Sequence, residues 1–155
     1  MGQLLRAIWL PAAVILAIWG WLWLDRRMAW HGPQQQLLGG VLLVLGSMLV
    51  LWCFWLFLHL GKGSPHPFVA KTQRLVSSGP YGYVRNPMMW GVGAILIGLA
   101  LCLGSVGLWF GFAGFVVFLR FFVRGYEEPD LRRRFGAEYE EYCRRVPRWW
   151  PRLRR

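Results

Sequence analysis

Acid is scarce in this chain, and whole stretches carry no charge at all. Only 7 of 155 residues are Asp or Glu, and residues 7–24, 37–60 and 88–119 contain no Asp, Glu, Lys or Arg. Charge-free runs of 18, 24 and 32 residues exclude an ordinary soluble domain, whose surface needs interspersed charge. Cysteine is also rare: Cys53, Cys102 and Cys143 are odd in number and far apart, which excludes a disulfide framework. Together with His31, His59 and His66 they show no metal-ligand spacing, so no metal site is expected. The length leaves room for one domain.

What is present in those runs is hydrophobic. A membrane span needs about 20 apolar residues, roughly 30 Å of helix. Residues 7–24 and 37–60 fit one crossing each. Residues 88–119 would make a helix of about 48 Å, too long for one crossing, and Gly104-Ser105-Val106-Gly107 sits at the middle. A tight hairpin of two short helices follows. The expected fold is therefore an all-α integral membrane protein with four transmembrane helices, the last two a hairpin. Its spans fall at about 7–24, 37–60, 88–103 and 106–123, with a loop over 61–87 and a tail over 124–155. Residues 7–24 read as a retained helix rather than a cleaved signal, because Trp19-Gly20-Trp21-Leu22-Trp23 stands where small residues would precede cleavage.

The net charge of +11 is distributed by side. With four spans, the N-terminus, the 61–87 loop and the tail share one face, which holds 16 of the 18 basic residues and every acid except Asp25. The positive-inside rule puts that face, and both termini, in the cytoplasm, as in a bacterial inner membrane. Attraction to anionic headgroups accounts for the basic tail, and no nucleic acid is expected as a partner. Trp19, Trp21, Trp23 and Trp30 suit the outer interface, and Trp149 and Trp150 the inner one.

Chemistry has few places to be, and the loop and tail are the largest. The loop closes on Tyr81-Gly82-Tyr83-Val84-Arg85-Asn86-Pro87, where Asn86 reads as a helix N-cap and Pro87 as the first helical residue. Ala94 with Gly98 and Gly107 with Gly111 are small-residue pairs suited to the hairpin. Gly91 and Gly93 fall nearly on opposite faces, so both cannot serve one helix contact. Arg120, Arg124, Glu127 and Glu128 share a helical face, and Pro129 should kink the helix and free the carbonyl of Gly125. The bland alternative is a solvated helix end with Arg124 paired to Glu128. Beyond it, Leu131, Phe135, Tyr139, Tyr142 and Val146 form the apolar stripe of a C-terminal amphipathic cytoplasmic helix. That helix either lies on the membrane or folds over the loop, and Gly136 is a candidate interruption.

In order along the chain stand Gly-Pro-Tyr-Gly-Tyr-Val-Arg-Asn-Pro-Met-Met-Trp-Gly at 79–91, the hairpin, Glu127-Glu128, Phe135-Gly136-x-x-Tyr139-x-x-Tyr142 and Arg145-Val146-Pro147. This series resembles the isoprenylcysteine carboxyl methyltransferase family, which is related to phospholipid N-methyltransferases, over about residues 61–151. The resemblance implies an S-adenosylmethionine-dependent methyltransferase, releasing S-adenosylhomocysteine, that works without a soluble Rossmann domain. It implies cofactor contacts from Tyr83, Arg85, Gly91, Gly93, Arg124, Glu127, Glu128, Tyr139 and Tyr142, and catalytic roles for Arg85, Asn86 and Glu128. Prenylcysteine enzymes commonly carry His where this chain has Asn86, so the lipophilic acceptor stays open: a phospholipid amine, a prenyl-type carboxylate or a small thiol. Membrane lipids are the expected surroundings. The alternatives are a nicotinamide-dependent membrane reductase of the sterol-reductase type, which ends in a similar Tyr-rich region, and a non-catalytic membrane scaffold.

Overall fold

The computed structural model describes Asp25 and residues 32–62 and 72–151. The expected first span, the Trp19–Trp30 belt, His31 and His66 lie outside those residues. Among the described residues there are four α-helices and no strand: α1 (Pro33–His59), α2 (Pro87–Leu103), α3 (Val106–Phe122) and α4 (Glu128–Arg145). The hairpin boundaries agree with the sequence reading. Gly104 ends α2 at φ 58°, a left-handed position that glycine takes without strain. Ser105 then caps α3, its hydroxyl accepting from the Leu108 N–H at 3.1 Å. The Asp25 carboxylate accepts from the Gly107 N–H at 2.9 Å, satisfying another free donor of the same helix start.

Among the described residues, two helices are long and apolar enough to cross a membrane: α1, with 27 residues, and the 40-residue run in which α3 continues into α4. Only the first half of that run is apolar, so the crossing belongs to α3. α2 is apolar but has 17 residues, about 26 Å of helix. Large apolar side chains face outward along these helices, including Leu37, Met48, Leu51, Phe110 and Phe121. A soluble protein rarely exposes such a continuous apolar surface, whereas lipid tails cover it at no cost.

The most extensive helix contact is α1 against α2, and glycines make it close. Gly39 and Gly46 on α1 face Gly98 and Gly91 on α2, each pair seven residues apart. A Cβ on Gly46 would stand 2.7 Å from the Gly91 carbonyl, and one on Gly91 2.7 Å from Val50 Cγ2. Small residues at this repeat let two antiparallel backbones approach within side-chain distance. The sequence assigned Ala94 and Gly98 to the hairpin; the structure turns both toward α1, and Gly111 on α3 meets nothing within 4 Å. The partner of α2 is a helix some fifty residues away, beyond reach of any local pattern.

The loop is tied to this pair. The Gly61 carbonyl at the end of α1 accepts from the N–H groups of Gln73 at 2.8 Å and Arg74 at 3.3 Å. Residues 75–84 then run between two apolar clusters. One, on the α1 side, contains Cys53, Leu56, Val76 and Tyr81; the other, on the α4 side, contains Tyr139, Tyr142 and Val146. The amphipathic stripe of α4 therefore folds over the loop, and Gly136 does interrupt the helix, at φ 50°, ψ −123°.

Packing this close has a measurable consequence. Gly46→Ala and Gly91→Ala should each destabilise the protein by about 1–3 kcal/mol through overpacking, seen as a lower thermal unfolding midpoint in detergent. Gly114→Ala, where the new methyl meets nothing within 4 Å among the described residues, should leave the midpoint unchanged or slightly raised.

Candidate active site

The site begins with an irregularity between α3 and α4. Pro129 has no N–H, so it cannot bond the Gly125 carbonyl, and a straight α-helix would break there. The helix does not break there. Residues Val123–Glu127 form a π turn instead, in which the Glu128 N–H donates to the Val123 carbonyl five residues back. One extra residue in the turn absorbs the proline while the helix runs on. It also shifts the register by about 100°. Arg120 and Arg124 are left exposed, while Glu127 is half-buried and Glu128 buried. The four residues expected on one face are thus divided into outward arginines and inward carboxylates.

Glu128, 5% exposed, is held by two other segments. Arg85 Nη1 donates to its Oε1 at 3.1 Å, and Arg148 donates through Nε at 2.6 Å and Nη2 at 2.7 Å. Its partners are therefore Arg85 and Arg148, and Arg124 takes no part in these bonds. Charge-assisted pairs of this kind are short and directional. The Glu128 carboxylate in turn holds the Arg148 guanidinium above its ordinary pKa. Arg85 Nη1 also reaches Cys143 Sγ at 2.9 Å.

Glu127 stands in a different environment. Its Oε2 is shut off from solvent without a hydrogen-bond partner among the described residues, and so is Nε of Arg85. Burial first, and the Glu128 charge second, push the Glu127 carboxyl up to about 7. Asn86 occupies the N-cap position of α2, but its side chain makes no cap bond; Nδ2 donates to the Arg148 carbonyl at 3.3 Å. Tyr142 donates to the Tyr81 carbonyl at 2.7 Å. Burial keeps Tyr81, Tyr139 and Tyr142 well above the ordinary phenol value, so all three are neutral hydrogen-bonding groups.

These groups share one small cavity of about 60 Å³. Its polar wall includes Arg85, Asn86, Glu127, Glu128, Tyr139 and Tyr142, which the sequence singled out, and Thr72 and Arg74, which it did not. The remaining expected site residues lie elsewhere. Tyr83 is 70% exposed, and Arg124 points outward. Gly91 is taken up by the contact with α1, and a Cβ on Gly93 would meet only Phe112 at 3.5 Å. Sequence reasoning missed Arg148 and Cys143. Arg148 follows the Arg145-Val146-Pro147 motif directly, but it stands 20 residues from Glu128 and no periodicity links them.

The phospholipid methyltransferase family model matches residues 34–138. The chain belongs to that family. No curated protein and no solved structure matches it. The family match runs from α1 into α4, so it takes in the loop, the π turn and both glutamates, and it ends just before Tyr139. Family membership supplies methyl-transfer chemistry, and the outward apolar helices supply the membrane setting. In this phospholipid methyltransferase family member, the charged cavity lies at the α3–α4 joint, where the apolar helix gives way to the charged tail.

The raised Glu127 carboxyl makes stability depend on pH. A pKa near 7 in the folded chain against 4.5 for the free group means that the folded state keeps its proton longer. This contribution is complete below pH 4.5 and is lost as pH rises through about 7. Glu127→Gln should remove the loss. The variant should unfold at a higher temperature than the parent at pH 8, with the difference shrinking toward pH 5, as read by thermal melts in detergent.

Proposed function

We propose that this protein transfers the methyl group of S-adenosylmethionine to a lipophilic acceptor at the cytoplasmic surface of a bacterial inner membrane. The observation that carries the reading is the pair of orphaned atoms in one cavity wall. Arg85 Nε is a buried donor and Glu127 Oε2 a buried acceptor, both without partners among the described residues. Buried polar groups are rarely left unpaired unless something else completes them. A free α-amino acid head supplies both complements, a carboxylate for the guanidinium and an ammonium for the carboxylate. S-adenosylmethionine and its product both carry that head, so the residues present fit the donor.

The donor, when bound, supplies a methyl group already activated on a sulfonium. The protein's share is then to bind, align and dry the reactants, and alignment alone can contribute about 7–11 kcal/mol. Arg85 and Glu127 would hold the amino-acid head. Glu128, beside Glu127 in the same wall, would face the cationic part of the donor. The neutral tyrosines Tyr139 and Tyr142 would close the wall, and Asn86 would fix the start of α2 against them. Phe57, Leu75, Val76, Leu131 and Phe135 give the wall an apolar part beside Thr72, Arg74 and Tyr81, which favours an acceptor that arrives from the bilayer. Among a phospholipid amine, a prenyl-type carboxylate and a small thiol, the family description favours the phospholipid.

Four spans complete the reading: residues 7–24, α1, α2 and α3, with the loop and tail on the cytoplasmic face. The basic residues on that face would meet anionic headgroups. Nothing in the geometry favours a reductase or a scaffold.

The deciding measurement is transfer of radiolabelled methyl from S-adenosylmethionine into a total lipid extract, with the labelled product identified. Label in a lipid supports the proposal; absence of label, together with no saturable binding of S-adenosylhomocysteine by calorimetry, ends it. Binding should also weaken by about tenfold per pH unit below 7, because Glu127 must shed its proton to pair with the ammonium. Glu127→Gln should abolish that slope and bind about 10–100-fold more weakly at pH 8, the worth of one charge-assisted hydrogen bond.

A further inference from the structure

The chain beyond α4 doubles back across the joint. Val146 leaves helical geometry at φ −113°, ψ 123°, and three successive residues then present their carbonyls to the loop and α2. Pro147 accepts from the Arg85 N–H at 2.9 Å, Arg148 from Asn86 Nδ2 at 3.3 Å, and Trp149 from Trp90 Nε1 at 3.1 Å. Trp150 meets Trp90 edge-on with ring centres 5.2 Å apart. From the middle of this strap, Arg148 places two hydrogen bonds on Glu128, at 2.6 and 2.7 Å. With Arg85 as the third donor, Oε1 accepts twice and Oε2 once, so only one bonding direction of Oε2 is left for an incoming cation while Arg148 stays in place.

The strap bonds to Arg85, Asn86 and Glu128 of the cavity wall without itself lining the cavity, and that cavity is too small for a nucleoside. A cavity of about 60 Å³ holds a few waters, whereas small-molecule sites span about 300–1,000 Å³. Something must move before a donor of that size enters, and the strap is held least. Tyr139 and Tyr142 on α4 are 2% and 4% exposed, fixed in the apolar cluster. The Arg148 side chain is 25% exposed, Trp150 is 74% exposed, and the strap's bonds to its neighbours are polar ones that water can replace. Segments with few buried apolar contacts open at the lowest free energy.

We propose that residues 147–150 form a latch that lifts to admit the methyl donor, and that Arg148 stands in on Glu128 for the donor's cationic group while the latch is shut. The inference rests on the S-adenosylmethionine reading above and adds its regulation. Arg148 and the donor compete for one carboxylate, so the apparent affinity is the intrinsic affinity scaled by the fraction of molecules with the latch open. The strap's other three bonds use main-chain carbonyls and do not depend on side-chain identity within it. Arg148 is therefore the residue through which ligand and latch oppose each other.

The test is S-adenosylhomocysteine binding to the full chain in detergent, with affinity read by calorimetry and association by stopped flow. Arg148→Gln should bind about tenfold more tightly and associate faster, because the open fraction rises. Trp90→Phe removes the bond to the Trp149 carbonyl without touching Glu128, and it should speed association in the same direction. If the parent binds and both variants bind equally or more weakly, the strap is a fixed wall and the latch is overturned while the donor reading stands. If the parent itself shows no saturable binding, the donor reading fails and the latch fails with it.

Discussion

The arrangement depends on one buried carboxylate. Glu128 joins three segments that are distant in sequence: the end of the loop through Arg85, the start of α4 through its own backbone, and the C-terminal strap through Arg148. Taking a carboxylate out of water is costly, and a pair of charges recovers that cost only with good geometry. Three hydrogen bonds from two guanidinium groups supply the geometry here. A buried ion pair of this kind contributes little net stability compared with apolar packing, yet removing one partner typically costs about 3–5 kcal/mol. Its value lies in specificity of arrangement. The loop, helix and strap can meet in only the way that gives Glu128 its donors.

The neighbouring glutamate shows how one turn of backbone gives two like groups different chemistry. Glu127 and Glu128 are adjacent, and the π turn sends both inward, but only Glu128 reaches the arginines. Glu127 is left with burial and a like charge, both of which favour its protonated form. Carboxylates driven apart in this way commonly divide the work of a site. Glu128 is structural, held by its two arginines; Glu127 is free to exchange a proton for a ligand's ammonium. Had Pro129 produced a simple kink, neither the register shift nor this division would follow.

How far the sequence disclosed these features depends on the range of the interaction. The α2 and α3 boundaries were legible because a charge desert and a glycine turn are local signals. The α4 stripe of Leu131, Phe135, Tyr139 and Tyr142 was legible because helical periodicity is local too, although only the structure chose the loop over the membrane as its partner. The joint at Glu127-Glu128-Pro129 was found, but its form was misjudged: a single-residue insertion leaves no trace in a pattern read at 100° per residue. Gly91 was singled out as a cofactor contact, and its neighbour in the structure is Gly46 on α1. Arg148 carried no signal, since an arginine in an arginine-rich tail looks like every other one until its partner is known. The expected first span lies outside the described residues.

Rigidity is unevenly distributed, and the unevenness bears on how such a site works. On one side α1 and α2 interlock through four glycines, and the loop is pinned to them at Gly61. On the other, α3 meets α2 far less extensively, and α4 rests on the loop through one apolar cluster. The charged end of the cavity is built by Arg85, Glu127 and Glu128, the last held by Arg148 of the strap, and its apolar end by Phe57 of the interlocked pair together with loop and α4 side chains. An apolar wall backed by the firm pair can present a fixed surface to a membrane-dissolved molecule. The polar wall, backed by a helix joint and a half-exposed strap, can rearrange around a water-soluble one. Two substrates of opposite solubility thereby place different mechanical demands on the two ends of one cavity. The division of stiff and loose packing follows from where the close glycine pairs lie.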